Sequence, residues 1–478
     1  MPKPAAKQTW LALLAPRLAL PLSVLLGGVL LHSMNVLITA TLLPSIVAEI
    51  GGADLMSWPT TAFVASSIVA AAGAGVTSRA VGSRWAFCSG ALIYALGAML
   101  CALAPSIACV IAGRFVQGLG GGLLSALAYV LVRNVFPEAL WPRVFGLIAG
   151  VWSVSVLVGP LIGGVFAGHG FWRGAFFAVA AVGGLLGVGA LLILRIAAVN
   201  DDATERRFPM LRMVLICTAI ALLSLAGVAT GPAVKSGLIA SAIWAFLLML
   251  RIDRGAAVPL LPSDAFSLRS PTGAGLWVVL LLAVAYSPLA IYVPLFLQRL
   301  HALNPLAAGY MVAAASATWT AAALAVAALA EQWPGRLIVA GPVAMSLGLV
   351  GVAVLTAPGP VAALLLPIGL VGTGIGSSWA FIAQRVMTGA KSGEENIAAA
   401  SVATVQQGGI AFGAAIAGLV ANASGLGDGL QLGAVLRASF WVPMAFAAAP
   451  LAAGAIGLRL NSIARAARTS PIVAADRV

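Results

Sequence analysis

The sequence predicts an all-α integral membrane protein that crosses the bilayer about fourteen times. Two properties predict this class: 62% of the 478 residues are hydrophobic, and only 8% are charged. Soluble domains hold roughly 45–50% apolar and about 25% charged residues, because their surfaces face water. The apolar runs here are about twenty residues long, as membrane-spanning helices require, whereas an outer-membrane barrel would alternate polar and apolar residues over about ten.

Fourteen apolar runs are long enough to span the hydrocarbon core. They are rich in alanine, leucine, glycine and valine. An even number of spans places both termini on the same side of the membrane. The predicted spans are residues 19–48, 58–78, 85–104, 107–134, 143–167, 173–196, 210–230, 233–251, 272–298, 305–330, 335–357, 360–385, 395–422 and 436–459.

Basic residues are distributed unevenly between the loops, and their distribution predicts the orientation. With the N-terminus in the cytoplasm, 21 of the 26 lysines and arginines fall in cytoplasmic segments and 4 in outer segments, which leaves Arg114 alone inside a span. This predicts a bacterial inner-membrane protein with both termini in the cytoplasm. The net charge of +13 is scattered over short loops, so it does not indicate a nucleic-acid surface.

Several classes of function are disfavoured by the motifs that the sequence lacks. No Gly-x-x-x-x-Gly-Lys-Ser/Thr phosphate loop occurs, and too little soluble chain remains for a nucleotide-binding domain. The cysteines at 88, 101, 109 and 217 have neither metal-ligand nor disulfide-framework spacing. No cluster of His, Asp or Cys suggests an enzyme. We therefore expect no enzymatic activity, no metal and no bound cofactor, with use of the proton gradient left open.

A glycine-rich string marks the fifth span. It reads Gly150-Val-Trp-Ser-Val-Ser-Val-Leu-Val-Gly159-Pro160-Leu-Ile-Gly163-Gly164. Small residues allow two helices to approach closely, and a proline inside a helix bends it. The string predicts close packing around a bend, and it resembles the antiporter motif of helix five in the major facilitator superfamily.

Further segments resemble the same family in the right order. Arg114-Phe-Val-Gln117-Gly118-Leu-Gly120-Gly121 is similar to its helix-four motif, which carries a membrane-embedded arginine. The segment with Gly75, Gly82 and Arg84 falls where the family's loop between helices two and three belongs. Weaker similarities are Trp58–Phe63, Phe171–Arg173, Pro294–Gln298 and Gln406–Gly409.

The resemblance covers nearly the whole chain and implies a fold. The fourteen spans fit the family's fourteen-helix drug/proton antiporter branch, in which two extra helices, here about 210–230 and 233–251, lie between two six-helix halves. The implied organisation is a cytoplasmic N-terminal tail at 1–18, a first half at 19–197, a linker at 198–271, a second half at 272–459 and a cytoplasmic C-terminal tail at 460–478.

The sequence departs from that branch at its acidic positions. The branch usually carries an aspartate in the first helix, where Asn35 stands, and another after the second, where Arg79 stands. None of the 13 acidic residues lies in the middle of a predicted span. His32, one turn before Asn35, is the only histidine within a span. It could carry a coupled proton, form a structural hydrogen bond or contact the substrate, and the sequence leaves these roles open.

Arg114 is the stronger site candidate. An arginine in mid-membrane costs several kcal/mol unless it meets a partner or a water-filled cavity. With no carboxylate available, its partners would be backbone carbonyls, side chains such as Gln117 or Asn35, water, or an anionic group of a substrate. A purely structural role is the alternative. The arginine and the missing acids together favour a neutral or anionic substrate.

Other polar and aromatic side chains within the spans are also substrate candidates. A buried glutamine must find a partner, which a central cavity would provide, whereas aromatic side chains serve helix packing as readily as ligand binding. The candidates are Gln298, Gln407, Trp152 and Tyr292, together with Gln406, Phe63, Tyr286, Trp319 and Trp379.

These features predict a secondary transporter that works as a monomer in the lipid bilayer. The resemblance implies multidrug-type export of hydrophobic or amphipathic small molecules, by alternating access of the two halves. A proton-independent facilitator, or an importer of a neutral or anionic metabolite, is the alternative, because the usual carboxylate is absent. A lipid-handling or interaction protein that uses this scaffold without transport is a third hypothesis.

Overall fold

The structure is a computed structural model that describes residues 10–194, 208–327 and 334–469. Over these ranges the backbone forms helices joined by turns, with no strand. Outside the described residues lie parts of both predicted tails, most of the predicted loop before the linker helices, and the end of the tenth predicted span. Basic residues of the orientation prediction that lie outside them are Lys3, Lys7, Arg195, Arg206, Arg207 and Arg477.

Thirteen long helices follow one another through the described chain, and each is long and apolar enough to cross a membrane. Short turns join most of them, so that consecutive helices run antiparallel. They are α1 Pro16–Ile50, α2 Trp58–Ala102, α3 Ile107–Val135, α4 Trp141–Gly168, α5 Trp172–Ile193, α6 Met210–Val228, α7 Pro232–Arg254, α8 Pro271–His301, α9 Pro305–Ala327, α10 Pro334–Leu355, α11 Leu365–Thr388, α12 Glu395–Ala423 and α13 Leu432–Thr469.

Helix α2 is too long for a single crossing. Its 45 residues would extend about 68 Å as a straight helix, against a hydrocarbon core of about 30 Å. At Gly82 the backbone leaves the helix, with φ 80° and ψ 151°, a conformation that residues with a side chain rarely adopt. Gly82 divides α2 into α2a, residues 58–81, and α2b, residues 83–102. Counted this way, the described chain has fourteen crossing segments, one for each predicted span.

The last helix is longer than its predicted span. α13 continues to Thr469, beyond the predicted end at 459 and into the predicted C-terminal tail. Hydropathy marks where a chain leaves the membrane, whereas alanine and arginine continue a helix equally well in water. The amide of Asn461 donates a hydrogen bond to the Gly335 carbonyl at 2.6 Å, which fastens this extension to α10.

The two six-helix halves share one packing pattern. A Cβ on Gly122 of α3 would lie 2.2 Å from the carbonyl oxygen of Ser67, and one on Gly376 of α11 would lie 2.2 Å from that of Trp319. Small residues of this kind let membrane helices approach to backbone contact. The equivalent glycine pairs, each with the same spacing along the chain, are Gly118 and Gly372, Gly120 and Gly374, and Gly122 and Gly376.

The halves touch at the end of the bundle that carries the α1–α2 turn at 51–57, which we name the closed end; the opposite end is the tail end. Along one seam α4 packs against α9. A Cβ on Gly164 would lie 2.5 Å from the Cα atom of Leu306. The hydroxyl of Tyr310 donates a hydrogen bond to the Leu157 carbonyl at 3.0 Å.

The second seam, between α2 and α12, is also tight at the closed end. A Cβ on Gly418 would lie 2.2 Å from the Ser57 hydroxyl oxygen. The amide of Asn422 donates a hydrogen bond to the Asp54 carbonyl at 2.8 Å. Both seams therefore join the two halves at the same end of the bundle.

Helices α6 and α7 form the linker and cover the α2–α12 seam. α6 contacts both α2 and α12, and α7 packs on α6. Arg212 of α6 forms a largely buried ion pair with Asp253 of α7 at 2.5 Å. The Asp253 carboxylate also accepts hydrogen bonds from the backbone N–H groups of Leu260 and Leu261. One carboxylate thus joins the linker pair and fixes the loop that follows it.

We expect Gly122→Val to destabilise the first half, because the added side chain overlaps the Ser67 carbonyl. Overpacking of this kind costs about 1–3 kcal/mol. Gly184→Val on α5 is the matched control: a Cβ at Gly184 meets nothing within 4 Å, and valine has the same helix propensity at both sites. Thermal denaturation in detergent should show a lower midpoint for Gly122→Val than for the control. Equal midpoints would contradict this packing.

Candidate functional site

Arg114 of α3 lies buried inside the first half, with 1% of its surface exposed. Its Nη1 donates a hydrogen bond to Gln117 Oε1 at 2.7 Å, and its Nε donates a longer one to the Pro59 carbonyl at 3.4 Å. The guanidinium carbon lies 4.1 Å from the centre of the Phe63 ring, within cation–π range. The partners are thus a side-chain amide, a backbone carbonyl and an aromatic face.

His32 of α1 joins the same group of side chains. Its imidazole stacks on Phe63 with 5.4 Å between ring centres, so Phe63 contacts both His32 and Arg114. Trp152 of α4 meets the imidazole edge-on at 6.4 Å. His32 is 3% exposed and Trp152 is 47% exposed, so the indole covers the imidazole. We name His32, Asn35, Phe63, Arg114 and Gln117 the α1–α3 cluster.

Three buried nitrogen atoms of this cluster have no hydrogen-bond partner among the described residues: Nδ1 of His32, Nδ2 of Asn35 and Nε2 of Gln117. A buried polar group without a partner costs about 1–3 kcal/mol, and native structures contain few of them. Three in one cluster, beside a buried arginine, make the α1–α3 cluster the candidate site of the described chain.

Within the described part of the chain, no carboxylate pairs with Arg114. Among the described residues the ion pairs are Glu49 with Arg173, at the closed end, and Asp253 with Arg212, in the linker. Neither acid belongs to the α1–α3 cluster. The cluster therefore carries a net positive charge, which attracts anionic groups and repels cations.

The second half has apolar side chains where the first half has this cluster. The glycine pairs align Arg114 with Ile368 and Gln117 with Val371, and both of these second-half residues are fully buried. The same packing is thus achieved without charge in the second half. The packing that the halves share therefore does not require Arg114 or Gln117.

Predicted candidates of the second half lie apart from the α1–α3 cluster. Tyr292 of α8 is 1% exposed and stacks on Phe296 with 6.2 Å between ring centres. Gln298 lies near the closed end of α8, and Gln407 is half-buried on α12. Their role in a substrate site stays a prediction.

Three further predicted aromatics form a separate group in the second half. Trp319 of α9 lies 6.0 Å from Tyr286 of α8 and 6.0 Å from Trp379 of α11, measured between ring centres. The hydroxyls of Tyr286 and Ser316 are 3.2 Å apart. The structure brings these three candidates together, although not with the cluster around Arg114.

The glycine-rich string of α4 divides between two neighbours. A Cβ on Gly159 or Gly163 would overlap atoms of α1, whereas one on Gly164 would overlap α9 of the other half. Pro160 lies inside the continuous α4, and Gly150 is exposed, with nothing within 4 Å of an added Cβ. Close packing therefore holds for the closed-end part of the string and not for Gly150.

The predicted loop motif lies at the tail end, where α2 reverses. Gly82 supplies the reversal itself, and Gly75 lies on α2a one turn before Arg79. The guanidinium carbon of Arg84 is 6.0 Å from the ring centre of Trp85. The arrangement agrees with a tight turn between two antiparallel spans.

Two contacts of the site were not predicted from the sequence. The Tyr94 hydroxyl of α2b donates a hydrogen bond to the Leu31 carbonyl at 2.8 Å. The hydroxyls of Ser33 and Ser155 lie 2.5 Å apart and join α1 to α4. The sequence does show polar side chains in the third and fifth predicted spans. Spans that are apolar on every face, however, do not indicate which faces of two helices contact each other.

Two repeated six-helix halves, joined at one end, with a buried cationic cluster inside the first, define a membrane transporter built from internal repeats. A family model described as Major Facilitator Superfamily matches residues 25–414. The chain belongs to this superfamily, and the all-helical transporter fold predicted from the sequence is confirmed.

Curated relatives are similar over most of the chain. One is named "Probable multidrug-efflux transporter" in Mycobacterium tuberculosis; it is 34% identical over 418 residues, covering 85% of this chain and 88% of the relative. Another is the "Tetracenomycin C resistance and export protein" of Streptomyces glaucescens, 26% identical over 414 residues, covering 84% of this chain and 75% of the relative.

Solved structures share the fold. The nucleoside transporter NupG superposes with a TM-score of 0.64 at 12% identity, covering 92% of this chain and 99% of that one. An autoinhibited POT family peptide transporter superposes with a TM-score of 0.62 at 16% identity, covering 93% and 96%. At these identities the likeness concerns the fold alone.

We expect the double variant Arg114→Met/Gln117→Val to insert and fold while losing transport. Replacing both partners of a buried polar pair by apolar groups is close to neutral for stability, and the equivalent second-half positions are apolar. Transport should fall about tenfold or more, the effect of one lost interaction of about 1.4 kcal/mol.

Proteoliposome transport, normalised to inserted protein, measures this loss, and Ile368→Met in the second half is the matched control. Wild-type transport by the double variant would assign Arg114 and Gln117 to helix packing.

Proposed function

We propose that this transporter exports hydrophobic or amphipathic small molecules by alternating access, and that the α1–α3 cluster binds their polar group. Relatives named for multidrug efflux and for tetracenomycin C export support the direction and the class of substrate. The observation that supports this binding site is the burial of Arg114, a cation without a carboxylate among its described partners.

In this proposal the tail end faces the cytoplasm of a bacterial inner membrane, and the chain acts as a monomer. The excess of basic residues in the tail-end segments supports this orientation. With the closed end outside, the cluster would receive substrate from the cytoplasm, which is the loading state of an exporter.

Two loop cysteines should test the orientation. Ala357, between α10 and α11 at the closed end, and Ser392, between α11 and α12 at the tail end, are both exposed. With the exposed native Cys109 at the closed end replaced by serine in both variants, a membrane-impermeant maleimide added to intact cells should label Ala357→Cys at once and Ser392→Cys only after permeabilisation. The reverse pattern would overturn the orientation.

We infer the energy source from the contacts that Phe63 makes with both His32 and Arg114. A proton on His32 would add a second positive charge beside Arg114, and like charges repel strongly where water is excluded. A bound anion offsets both charges, so a proton and an anionic substrate would bind cooperatively. An antiporter needs the opposite, because its proton must displace its substrate.

The membrane potential can drive export of an anion without a proton. The cytoplasm is electrically negative, and one elementary charge moving across 100 mV changes the free energy by about 2.3 kcal/mol. We therefore propose that the membrane potential drives the export of anions, and that neutral molecules move down their own concentration gradients. Transport would then be independent of protons, as in the proton-independent alternative predicted from the sequence. Proton coupling through His32 is the competing hypothesis.

A pair of xanthene dyes should separate these hypotheses. Sulforhodamine B carries a net negative charge, and rhodamine B ethyl ester carries a positive charge on a closely related ring system. In proteoliposomes with potassium gradients and valinomycin, sulforhodamine B should move towards the positive compartment and should not respond to a pH gradient at zero potential. The cationic ester should not be transported above the level of protein-free vesicles.

Two other outcomes would contradict this proposal. Uphill movement of sulforhodamine B driven by a pH gradient alone would establish proton coupling, and His32→Ala would then show whether His32 carries the proton. If neither dye moves although the protein is inserted, export of amphipathic dyes is refuted, and import of a metabolite remains.

A further inference from the structure

A pocket lies where the first half, the linker and the second half meet. A water-sized sphere can occupy about 40 Å³ of it, and the space between its lining atoms comes to about 470 Å³ when the open mouth is included. Ile68 of α2a lines it from the first half, Phe246 of α7 and Phe266 of the following loop from the linker, and Gly408 and Phe412 of α12 from the second half. The lining is almost entirely apolar.

Aromatic rings form a continuous series along this pocket. Phe246 contacts Phe412 edge-to-face with 5.4 Å between ring centres, and it contacts Phe266 in the same way at 6.2 Å. Phe266 in turn contacts Trp277 of α8 at 5.1 Å. Such a surface suits the edges and faces of a further aromatic ring.

The backbone of Phe266 is strained. Its φ of 62° lies in the left-handed region, which bulky residues avoid at a cost of about 1–3 kcal/mol. The indole Nε1 of Trp277 donates a hydrogen bond to the Phe266 carbonyl at 2.8 Å. A Cβ on Gly273 would lie 2.4 Å from the Ser267 nitrogen, so this loop rests directly on α8. Strain maintained in this way is typical of functional positions.

Gly408 keeps the α12 wall of the pocket open. A Cβ at Gly408 would meet nothing within 4 Å. Its neighbour Gly409 is different, because a Cβ there would lie 2.7 Å from the Cβ of Ala283 on α8. Helix packing thus explains the glycine at 409 and not the glycine at 408.

We propose that this pocket binds an uncharged aromatic group of the transported molecule, as a subsite separate from the α1–α3 cluster. The inference rests on the proposed function. Apolar lining, several aromatic rings and a partly open mouth are the usual properties of a small-molecule pocket. Because its walls come from both halves, relative movement of the halves changes its shape, and a ligand held there favours the state in which the closed end is sealed.

Cysteine protection tests the pocket without requiring transport. Gly408→Cys is labelled with N-ethylmaleimide in detergent micelles, with and without 1-aminoanthracene, an uncharged aromatic dye, and labelling at this site is measured by peptide mass spectrometry. At a dye concentration about ten times its dissociation constant, labelling should slow about tenfold, because bound dye shields the thiol.

Gly189→Cys on α5 is the matched control. Gly189 is also half-buried, and a Cβ there likewise meets nothing within 4 Å, but it lies outside the pocket. Its labelling should not change with dye. Equal protection at both sites, or protection at neither, would overturn the proposal.

A lipid acyl chain shares the required chemistry, and a second arm separates it from the dye. The experiment is repeated in bilayers of phosphatidylglycerol. If Gly408→Cys is already protected in these bilayers and dye adds no protection, lipid occupies the pocket and the proposal fails. If dye still slows labelling, the small-molecule subsite stands.

A larger side chain in the pocket tests whether the pocket takes part in transport. Gly408→Leu should abolish saturable binding of 1-aminoanthracene and reduce sulforhodamine B transport, whereas Gly189→Leu should change neither. Unchanged transport by Gly408→Leu would overturn the subsite. If wild-type protein moves no dye although 1-aminoanthracene still protects Gly408→Cys, the proposed export function fails, and with it the assignment of the pocket to transported molecules.

Discussion

The close approach of backbones at glycines is the constraint on which this transporter depends. Lipid tails are as apolar as the side chains, so apolar side chains gain little by exchanging lipid contacts for contacts with one another. Membrane helices therefore associate through close packing and interhelical hydrogen bonds. Gly118, Gly120 and Gly122 provide that packing in the first half, and Gly372, Gly374 and Gly376 repeat it in the second. Because both halves rest on backbone contacts, each can move as a stiff body.

This shared framework leaves the remaining side chains free to differ between the halves. The first half uses them for Arg114, Gln117 and His32, with Phe63 between Arg114 and His32, whereas the second half places Ile368 and Val371 at the corresponding depth. Recognition of polar groups is thus concentrated in one half. The second half contributes aromatic and apolar surfaces, including part of the wall beside the linker.

The sequence predicted the spans well because hydropathy is a one-dimensional property, and each predicted span matches one crossing segment. It also named Gln117, beside Asn35, backbone carbonyls, water and a substrate anion, as a candidate partner of Arg114, and the structure shows the bond to Gln117. Contacts between helices were harder to predict. The approach of His32 to Phe63 and the bond from Tyr94 to α1 depend on helix rotation, which uniformly apolar spans do not encode.

The linker pair has a consequence for how molecules dissolved in the bilayer reach the protein. By covering the α2–α12 seam, α6 and α7 shield one of the two lines along which the halves face lipid. None of the described helices covers the α4–α9 seam in this way, and Trp152 and Leu157 of α4 are exposed. The linker thus makes the two flanks of an otherwise two-fold architecture unequal, and under the proposed export function an amphipathic compound dissolved in the leaflet would enter through the α4–α9 flank.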